Sequence, residues 1–246
     1  MRRFGLIGFP LSHSFSQKYF TEKFLQLGIT DCVYENFAIP QIEELSIILR
    51  EYTDLHGINV TIPYKEKVIP FLSHQNEVVK KIGACNCIRI DDGVLTGFNT
   101  DVTGFEQSLL PALAQHHTKA LVLGTGGAAK SVYYVLQKLG ISYKEVSRNA
   151  GGANQLTYQQ VTPALLEEYL LIVNTTPLGM YPKVEECPAL PYEALTPQHY
   201  LFDLVYNPEV TLFLQKGKER GAVIKNGGDM LMIQAEESWR IWNGLP

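Results

Sequence analysis

A short β-branched segment carries three polar side chains whose types suit the binding of a small polar ligand. The segment "NVTIPYKEKV", residues 59–68, places Asn59, Thr61 and Lys65 where a buried strand would have apolar residues. Because residues two apart in a strand share a face, Asn59 and Thr61 project from one face of the strand, and Val60 and Ile62 project from the other. One face of this strand is therefore predicted to pack in the core, and the other to form a polar surface that binds a ligand.

A carboxylate that could act with Lys65 lies in "LTGFNTDVTGF", where Asp101 directly precedes a predicted helix. A lysine and a carboxylate that meet in a partly buried cleft titrate together, and such a pair can pass a proton to or from a substrate oxygen. Taken alone, Asp101 would more simply cap the helix. Asn86 in "GACNCI", with Asn99 and Thr100, supplies further polar groups at turns that should approach the same cleft.

The elements that position these residues are predicted to alternate between strands and helices. Strand patterns are found in "RRFGLIGFP", "DCVYENFAI" and "LHGINVTI", and helical spacing of apolar residues in "FSQKYFTEKFLQLG" and "IEELSIILREY". This order is typical of a parallel sheet, whose ligands bind beyond the carboxyl ends of the strands. Ser14 and Ser16 follow the first strand and are expected at that edge, although either serine could instead cap the next helix.

A second unit begins with the motif G-x-G-x-x-A, placed between a predicted buried strand and an amphipathic helix in "KALVLGTGGAAKSVYYVLQKLG". Gly124 permits a tight turn, Gly126 lets the backbone approach a pyrophosphate, and Ala129 lets helix and strand pack closely. The predicted dinucleotide site comprises Gly124, Thr125, Gly126, Gly127, Ala128 and Ala129.

The end of the next strand, in "YKEVSRNA", bears on which dinucleotide binds. An acidic residue there binds a ribose hydroxyl, whereas an arginine with small neighbours accommodates a 2′-phosphate. Ser147 and Arg148 favour NADP. Glu145 shares a strand face with Ser147 and keeps NAD open as the alternative.

Composition limits the classes of function. The chain has 246 residues, of which 46% are hydrophobic and 19% charged, so it can fold as one large domain or two ordinary ones. A net charge of -4 without a basic run argues against nucleic-acid and membrane partners and favours a small ligand. The four cysteines, at positions 32, 85, 87 and 187, fit neither a zinc spacing nor a disulfide framework. We expect reduced thiols, a cytoplasmic protein and no export signal.

Eight segments occur together in the order and with the spacing of one known family. They are "GFPLSHSFS", "NVTIPYKEKV", "GACNCI", "GFNTDVTGF", "LGTGGAAKSV", "VNTTPLGM", "DLVYNP" and "NGGDMLMIQAEESWRIW". In all of them the chain resembles the shikimate dehydrogenase family, and the resemblance covers nearly the whole sequence. Their combination is far more specific than the glycine motif, which many oxidoreductases share.

The resemblance implies a substrate site for shikimate. Ser14 and Ser16 would hold its carboxylate, and Lys65 and Asp101 would flank the reacting oxygen. The residues that reach the ring hydroxyls would be Asn59, Thr61, Asn86, Asp101 and Gln234, with Tyr206 as a further contact on the substrate side. A core tyrosine with a satisfied hydroxyl is the alternative for Tyr206.

The resemblance also implies an NADP site and no metal. The cofactor would lie over the glycine motif with Ser147 and Arg148 near its adenosine ribose, and its other contacts would be Asn174, Thr175, Thr176, Gly228 and Met230. Unlike the family's usual pattern, "NAGGANQLTYQQ" breaks at Gly151 and Gly152 before a helical pattern resumes near Pro163. The adenosine end is therefore expected to be remodelled.

The implied fold is α/β with two domains and a cleft between them. Residues 1–101 with 230–246 would form a substrate-binding domain with a mostly parallel sheet, and residues 102–229 a Rossmann-type NADP-binding domain.

The implied activity is the reversible reduction of 3-dehydroshikimate by NADPH in chorismate and aromatic amino acid biosynthesis, with Lys65 and Asp101 handling the proton. Three alternatives stay open: a quinate or dual quinate/shikimate dehydrogenase that uses NAD, an enzyme that makes an aminated analogue of shikimate, and a nonenzymatic NADP-binding sensor. We expect a monomer or a homodimer.

Overall fold

The computed structural model describes residues 1–11, 15–149 and 151–245 and divides into two compact units. Unit 1 comprises Met1–Thr100 and Ala235–Pro246, and unit 2 comprises Asp101–Gln234. Unit 1 is therefore discontinuous in sequence. The assignment of substrate to residues 1–101 with 230–246, and of NADP to residues 102–229, stays a prediction.

Unit 1 is built around a six-stranded sheet in the order β2-β1-β3-β5-β6-β4. Its elements are β1 (Arg2–Gly8), α1 (Phe15–Gln26), β2 (Cys32–Ala38), α2 (Leu45–Glu51), β3 (Leu55–Val60), β4 (His74–Gln75), α3 (Glu77–Ile82), β5 (Cys87–Asp91) and β6 (Val94–Phe98). β5 runs antiparallel to both β3 and β6, and the other pairs are parallel. The sequence analysis did not identify this reversal, although Asp92-Gly93 between β5 and β6 is a signal for an antiparallel hairpin.

Unit 2 is built around a second six-stranded sheet, in the order β12-β11-β10-β7-β8-β9, with every pair parallel. Its elements are α4 (Asp101–Leu109), β7 (Lys119–Leu123), α5 (Gly127–Lys138), β8 (Ser142–Ser147), β9 (Gln155–Thr157), α6 (Pro163–Glu168), β10 (Leu171–Asn174), β11 (Tyr200–Asp203), α7 (Leu212–Glu219), β12 (Val223–Lys225) and α8 (Gly228–Trp242). Helix α8 continues into unit 1 from Ala235 onward.

The strand order of unit 2 is that of a dinucleotide-binding Rossmann sheet, which reverses its direction of growth between β7 and β10. Strands β10 and β11 are buried along their whole length, as expected for strands covered on both faces. The two sheets confirm the predicted α/β class. The described part of the segment between β8 and β9 contains no helix, as the break at Gly151 and Gly152 predicted.

Strand directions bring distant polar segments of unit 1 to one edge of its sheet. Leu6 of β1 pairs with Asn59 of β3 in parallel, so both strands end at this edge. Cys87, the first residue of β5, pairs with Asn59, and Phe98, the last residue of β6, pairs with Cys87. The reversed β5 therefore places Asn86 beside the end of β3, and the segment that follows β6 arrives at the same place.

The end of α8 is fixed on the core of unit 1 by Trp242. Its ring stacks on Phe4 with centroids 4.9 Å apart, and its indole N–H donates to the carbonyl oxygen of Ile88 at 3.0 Å. Gly57 makes this packing possible, because a Cβ there would lie 2.3 Å from the indole. This anchoring sets the position of Ser238, one helical turn earlier.

A buried carboxylate joins three elements at the carboxyl end of the unit 2 sheet. Asp203 accepts hydrogen bonds from Asn174 Nδ2 at 3.0 Å, from the Val205 N–H at 3.0 Å and from Thr211 Oγ1 at 2.6 Å. Burial raises the pKa of Asp203 from 3.8 to about 6, although these hydrogen bonds act in the opposite direction.

None of the helices in the described ranges combines the length and the apolar composition that a membrane crossing requires.

The raised pKa of Asp203 predicts how stability changes with pH. The folded chain binds the Asp203 proton more tightly than the unfolded chain does, so protonation of Asp203 adds to the free energy of unfolding. This stabilisation is fully present below about pH 4 and is lost as the pH rises through about 6. A shift of about 2 units at about 1.4 kcal/mol per unit gives an upper limit of about 3 kcal/mol.

Urea unfolding between about pH 4 and pH 7 measures this effect against Asp203→Asn, whose side chain does not titrate. The stability of the wild type relative to the variant should fall as the pH rises. A constant difference across this range would contradict the shift.

Candidate active site

The segments that follow β1 and β3 run side by side beyond the ends of their strands. The Thr61 N–H donates to the carbonyl oxygen of Ile7 at 2.9 Å, and the Phe9 N–H donates to that of Ile62 at 3.1 Å. Gly8 allows this approach, because a Cβ there would lie 2.4 Å from the Thr61 methyl group. Thr61 was predicted within the strand and in fact follows it directly.

The backbone around Lys65 is held in place from both sides. Its carbonyl oxygen accepts a hydrogen bond from the Cys85 N–H at 2.7 Å. The preceding residue, Tyr64, is buried and donates its hydroxyl to the carbonyl oxygen of Ile39 at 2.6 Å. Lys65 itself is partly buried. The turn therefore presents the Lys65 side chain from a fixed backbone at the edge where β3 ends.

Asn86 organises the segment that leads to Asp101. Its Oδ1 accepts the Thr100 N–H at 2.6 Å, and its Nδ2 donates to Thr100 Oγ1 at 3.0 Å. Asn86, Thr100 and Asp101 are all buried. Asp101 is the first residue of α4, where the helix dipole favours a carboxylate.

Asn59 is buried and makes hydrogen bonds to three other parts of unit 1. Its Oδ1 accepts from the Tyr34 hydroxyl at 2.9 Å, and its Nδ2 donates to Ser238 Oγ at 2.9 Å and to the carbonyl oxygen of Asn86 at 3.3 Å. Thr100 Oγ1 lies 3.4 Å from Ser238 Oγ, and either hydroxyl can donate to the other. We call Tyr34, Asn59, Asn86, Thr100 and Ser238 the buried polar network.

Two members of the buried polar network, Tyr34 and Ser238, were missed by the sequence analysis. Ser238 lies four residues after Gln234, hence on the same helical face, and that spacing was the available signal. Tyr34 lies in β2, and nothing in its local pattern distinguishes it from a core tyrosine.

The segment "PLSHSFS", residues 10–16, which we call the serine loop, is described only in part. Ser16, in the first turn of α1, is partly buried, whereas the predicted residue Ser14 lies outside the described residues, as do Ser12 and His13. Burial raises the pKa of the Tyr34 hydroxyl above its usual range, and a hydrogen bond with Ser16 offsets part of that rise. Ser16 therefore adjoins the buried polar network through Tyr34.

Asp101 and Gln234 belong to helices that pack closely within unit 2. A Cβ at Gly104 of α4 would lie 2.7 Å from the carbonyl oxygen of Met230 and 3.2 Å from the Gln234 Cβ. Only glycine permits this approach of α4 to the start of α8.

Tyr206 keeps 39% of its surface exposed, unlike the core tyrosine that was its alternative.

The glycine turn after β7 has the form that the motif predicts. Gly124 has a φ of +104°, a conformation that favours glycine, and its N–H donates to the carbonyl oxygen of Val146 at 2.8 Å. Tyr133 donates its hydroxyl to the Gly124 carbonyl oxygen at 3.0 Å. Thr125 and Gly126 are exposed, and α5 begins at Gly127. The N–H groups at the start of α5 can therefore receive a phosphate group.

Thr175 connects the glycine turn to the end of β10. Its hydroxyl and its N–H both donate to the carbonyl oxygen of Leu123, at 2.7 and 2.9 Å. Asn174 is fully buried, and its Oδ1 accepts from the Thr176 hydroxyl at 2.7 Å. Asn174 therefore positions Asp203 and Thr176, and its contact with the cofactor stays a prediction.

Glu145 and Arg148, which favour NAD and NADP respectively, lie in different surroundings at the end of β8. Glu145 Oε2 accepts from Gln155 Nε2 of β9 at 2.9 Å, so this carboxylate is engaged within the sheet. Arg148 is exposed beyond the strand, and Ser147 Oγ donates to the carbonyl oxygen of Asn149 at 2.8 Å. The geometry favours Arg148 over Glu145 as the residue that meets the adenosine ribose.

Two other predicted cofactor contacts lie at the start of α8. The Gly228 N–H donates to Asn226 Oδ1 at 3.1 Å, and Met230 is buried. Within the described ranges, no group of three or more His, Cys, Asp or Glu side chains is arranged to hold a metal ion.

Comparison with known proteins gives the family of this chain. Residues 6–88 match the model of the shikimate dehydrogenase substrate binding domain. The NADP-dependent shikimate dehydrogenase of Desulforamulus reducens is 35% identical over 261 residues, covering 98% of this chain and 89% of that protein. The chain belongs to the shikimate dehydrogenase family.

Two solved structures share the fold over this chain's length. Shikimate 5-dehydrogenase from Thermus thermophilus, in complex with NADP(H) and shikimate, is 32% identical with a TM-score of 0.83, covering 100% of this chain and 94% of that one. Quinate dehydrogenase from Corynebacterium glutamicum, in complex with NAD, is 26% identical with a TM-score of 0.87, covering 99% and 94% of the two chains.

The open space at Gly126 yields a prediction about cofactor binding. No heavy atom of the described residues lies within 4 Å of a Cβ added there, and its φ of -77° is ordinary for any residue. Gly126→Ala should therefore fold normally but obstruct the approach of a pyrophosphate, raising the KM for NADP roughly 10-fold or more.

The KM for shikimate in the same variant is the internal control and should stay nearly unchanged, because Gly126 belongs to the glycine turn of unit 2 and the expected substrate contacts lie on unit 1. Steady-state kinetics and thermal unfolding of the wild type and of Gly126→Ala test the prediction, and an unaltered KM for NADP would contradict it.

Proposed function

We propose that this chain catalyses the NADP-dependent, reversible reduction of 3-dehydroshikimate to shikimate, a step of chorismate and aromatic amino acid biosynthesis. The observation that carries the proposal is the fixed row of hydroxyl and amide groups on unit 1, at the edge where the segments of Lys65 and Asp101 arrive. A small acid with three ring hydroxyls needs many donors and acceptors held rigidly, and this edge supplies them. The relative from Thermus thermophilus binds NADP(H) and shikimate, which supports the same ligands here.

The serine loop and the polar edge divide the recognition of the substrate between them. Ser14 and Ser16 bind the carboxylate. The side chains that reach the ring hydroxyls are Asn59, Thr61, Asn86, Asp101 and Gln234, with Tyr206 as a further contact. Because Asn59 and Asn86 also hold protein groups, the substrate meets donors and acceptors that are already oriented.

Lys65 and Asp101 handle the proton of the reacting oxygen. Bound NADPH supplies the hydride that the ketone carbon accepts. Lys65, assisted by Asp101, donates or orients the proton that the resulting alkoxide takes up, and the same pair accepts that proton in the oxidation direction. The fixed backbone of Lys65 and the place of Asp101 at the start of α4 support this division of roles.

The cofactor is held over the glycine turn, with Ser147 and Arg148 at the adenosine end and with Asn174, Thr175, Thr176, Gly228 and Met230 nearby. Arg148 provides the positive charge that a 2′-phosphate requires, while the Glu145 carboxylate is bound to Gln155. A quinate dehydrogenase that uses NAD is the second candidate, favoured by the short connection between β8 and β9 and by the Corynebacterium glutamicum structure.

Other expectations from the sequence stay predictions: a cytoplasmic location, a monomeric or homodimeric state, and the absence of nucleic-acid and membrane partners. A nonenzymatic NADP sensor would have no use for the Lys65 and Asp101 pair.

Initial rates with four combinations of substrate and cofactor test the proposal. Purified protein is assayed with shikimate and with quinate, each with NADP and with NAD, by following reduction of the nicotinamide optically. Shikimate with NADP should give the highest kcat/KM. Faster turnover of quinate with NAD would establish the second candidate, and binding of NADP without turnover of either acid would favour the sensor.

The proton-transfer pair predicts a specific loss of turnover. Lys65→Ala and Asp101→Asn should each lower kcat roughly 100-fold or more, because either change removes a group that moves or orients the proton. Lys67→Ala is the matched control, since Lys67 is exposed in the same turn, and it should keep full activity. Full turnover by Lys65→Ala would exclude its proposed role.

A further inference from the structure

The buried polar network contains three hydroxyl groups that the proposed function does not use, those of Tyr34, Thr100 and Ser238. We propose that Ser238 and Tyr34 are positioning residues for the reaction: they fix the amide of Asn59 and, through Thr100, the turn before Asp101. The inference rests on the proposed function, because it concerns how the substrate-binding side chains are held.

Ser238 lies at the centre of the network. It is fully buried on α8, accepts the Asn59 Nδ2 hydrogen at 2.9 Å and lies 3.4 Å from Thr100 Oγ1. Its hydroxyl also forms a hydrogen bond with the Cys87 thiol. One hydroxyl on the C-terminal helix thus joins the end of β3 to the segment that follows β6.

Tyr34 fixes the Asn59 amide from the opposite side. Its hydroxyl donates to Asn59 Oδ1 at 2.9 Å, and its ring is held by stacking on Phe20, with centroids 4.6 Å apart. A rotated Asn59 amide would turn Oδ1 toward the carbonyl oxygen of Asn86, which cannot donate a hydrogen. The contacts therefore allow one orientation of the amide. Tyr34 also connects this amide to Ser16.

The network continues from Ser238 to the residue before Asp101. Thr100 shares its hydroxyl between Ser238 and Asn86 and donates its N–H to Asn86 Oδ1 at 2.6 Å. The start of α4 depends on this turn, because Asp101 directly follows Thr100. A displacement of Ser238 would therefore disturb both Asn59, which contacts a ring hydroxyl, and Asp101, a member of the proton-transfer pair.

Removal of the Ser238 or the Tyr34 hydroxyl should impair the use of shikimate and leave the binding of NADP unchanged. Ser238→Ala should lower kcat/KM for shikimate roughly 10-fold or more, and Tyr34→Phe roughly 3-fold or more, because small misplacements of reacting groups are costly. The KM for NADP should change by less than about twofold in both variants, since neither hydroxyl adjoins the glycine turn. A purely structural role would instead lower the melting temperature and leave the kinetics of the folded protein unchanged.

Two buried hydroxyls elsewhere in the chain provide matched controls. Ser108 Oγ and the Tyr200 hydroxyl are buried and have no hydrogen-bond partner among the described residues. Ser108→Ala and Tyr200→Phe make the same chemical changes as the two test variants, and both should keep wild-type kinetics for shikimate and NADP.

The experiment is steady-state kinetics of the wild type and the four variants, well below their melting temperatures. A selective loss with shikimate in Ser238→Ala and Tyr34→Phe, absent from both controls, supports the inference. Should Ser238→Ala fail to fold, Tyr34→Phe gives the decision alone. Wild-type kinetics in the test variants, or equal losses for shikimate and NADP, overturn the inference. A wild type that does not turn over shikimate contradicts the proposed function itself and the inference with it.

Discussion

The polar edge of unit 1 depends on one buried amide. Asn59 is the next-to-last residue of β3 and connects this strand to β2 through Tyr34, to the start of β5 through the Asn86 carbonyl oxygen, and to α8 through Ser238. A buried amide that loses a partner costs about 1–3 kcal/mol, so each of these contacts constrains the others. An apolar residue at position 59 would leave three separate segments without their common reference point.

In unit 2 the main constraint is that the backbone of the glycine turn stays open, as the approach of a charged diphosphate would require. The glycine turn supplies the space, and its shape is held by Tyr133 from α5 and by Thr175 beyond β10. These contacts meet where the strand order of the sheet reverses, the place at which open α/β sheets bind ligands. Side chains hold the turn, and its exposed main chain is where we expect the cofactor to bind.

Local patterns were sufficient to predict the α/β class, the glycine turn and the missing helix after β8, because each depends on residues near one another in sequence. The reversed direction of β5 was missed, although Asp92-Gly93 between β5 and β6 is a two-residue hairpin signal, and both residues have the positive φ that such a turn requires. The network contacts of Asn59 with Ser238, and the engagement of Glu145 by Gln155, are set by the tertiary fold. The pattern therefore identified Asn59 and Glu145 as polar groups of interest but did not indicate which protein groups they bind.

The most direct test of the account is a crystal structure of this protein with shikimate and NADP bound. We expect the reacting hydroxyl of shikimate to lie within roughly 2.6–3.2 Å of both Lys65 Nζ and an Asp101 carboxylate oxygen. We also expect Asn59 and Asn86 to contact the other ring oxygens without changing their rotamers. Shikimate bound with its reacting hydroxyl away from Lys65 and Asp101, or a network that rearranges on binding, would contradict the account.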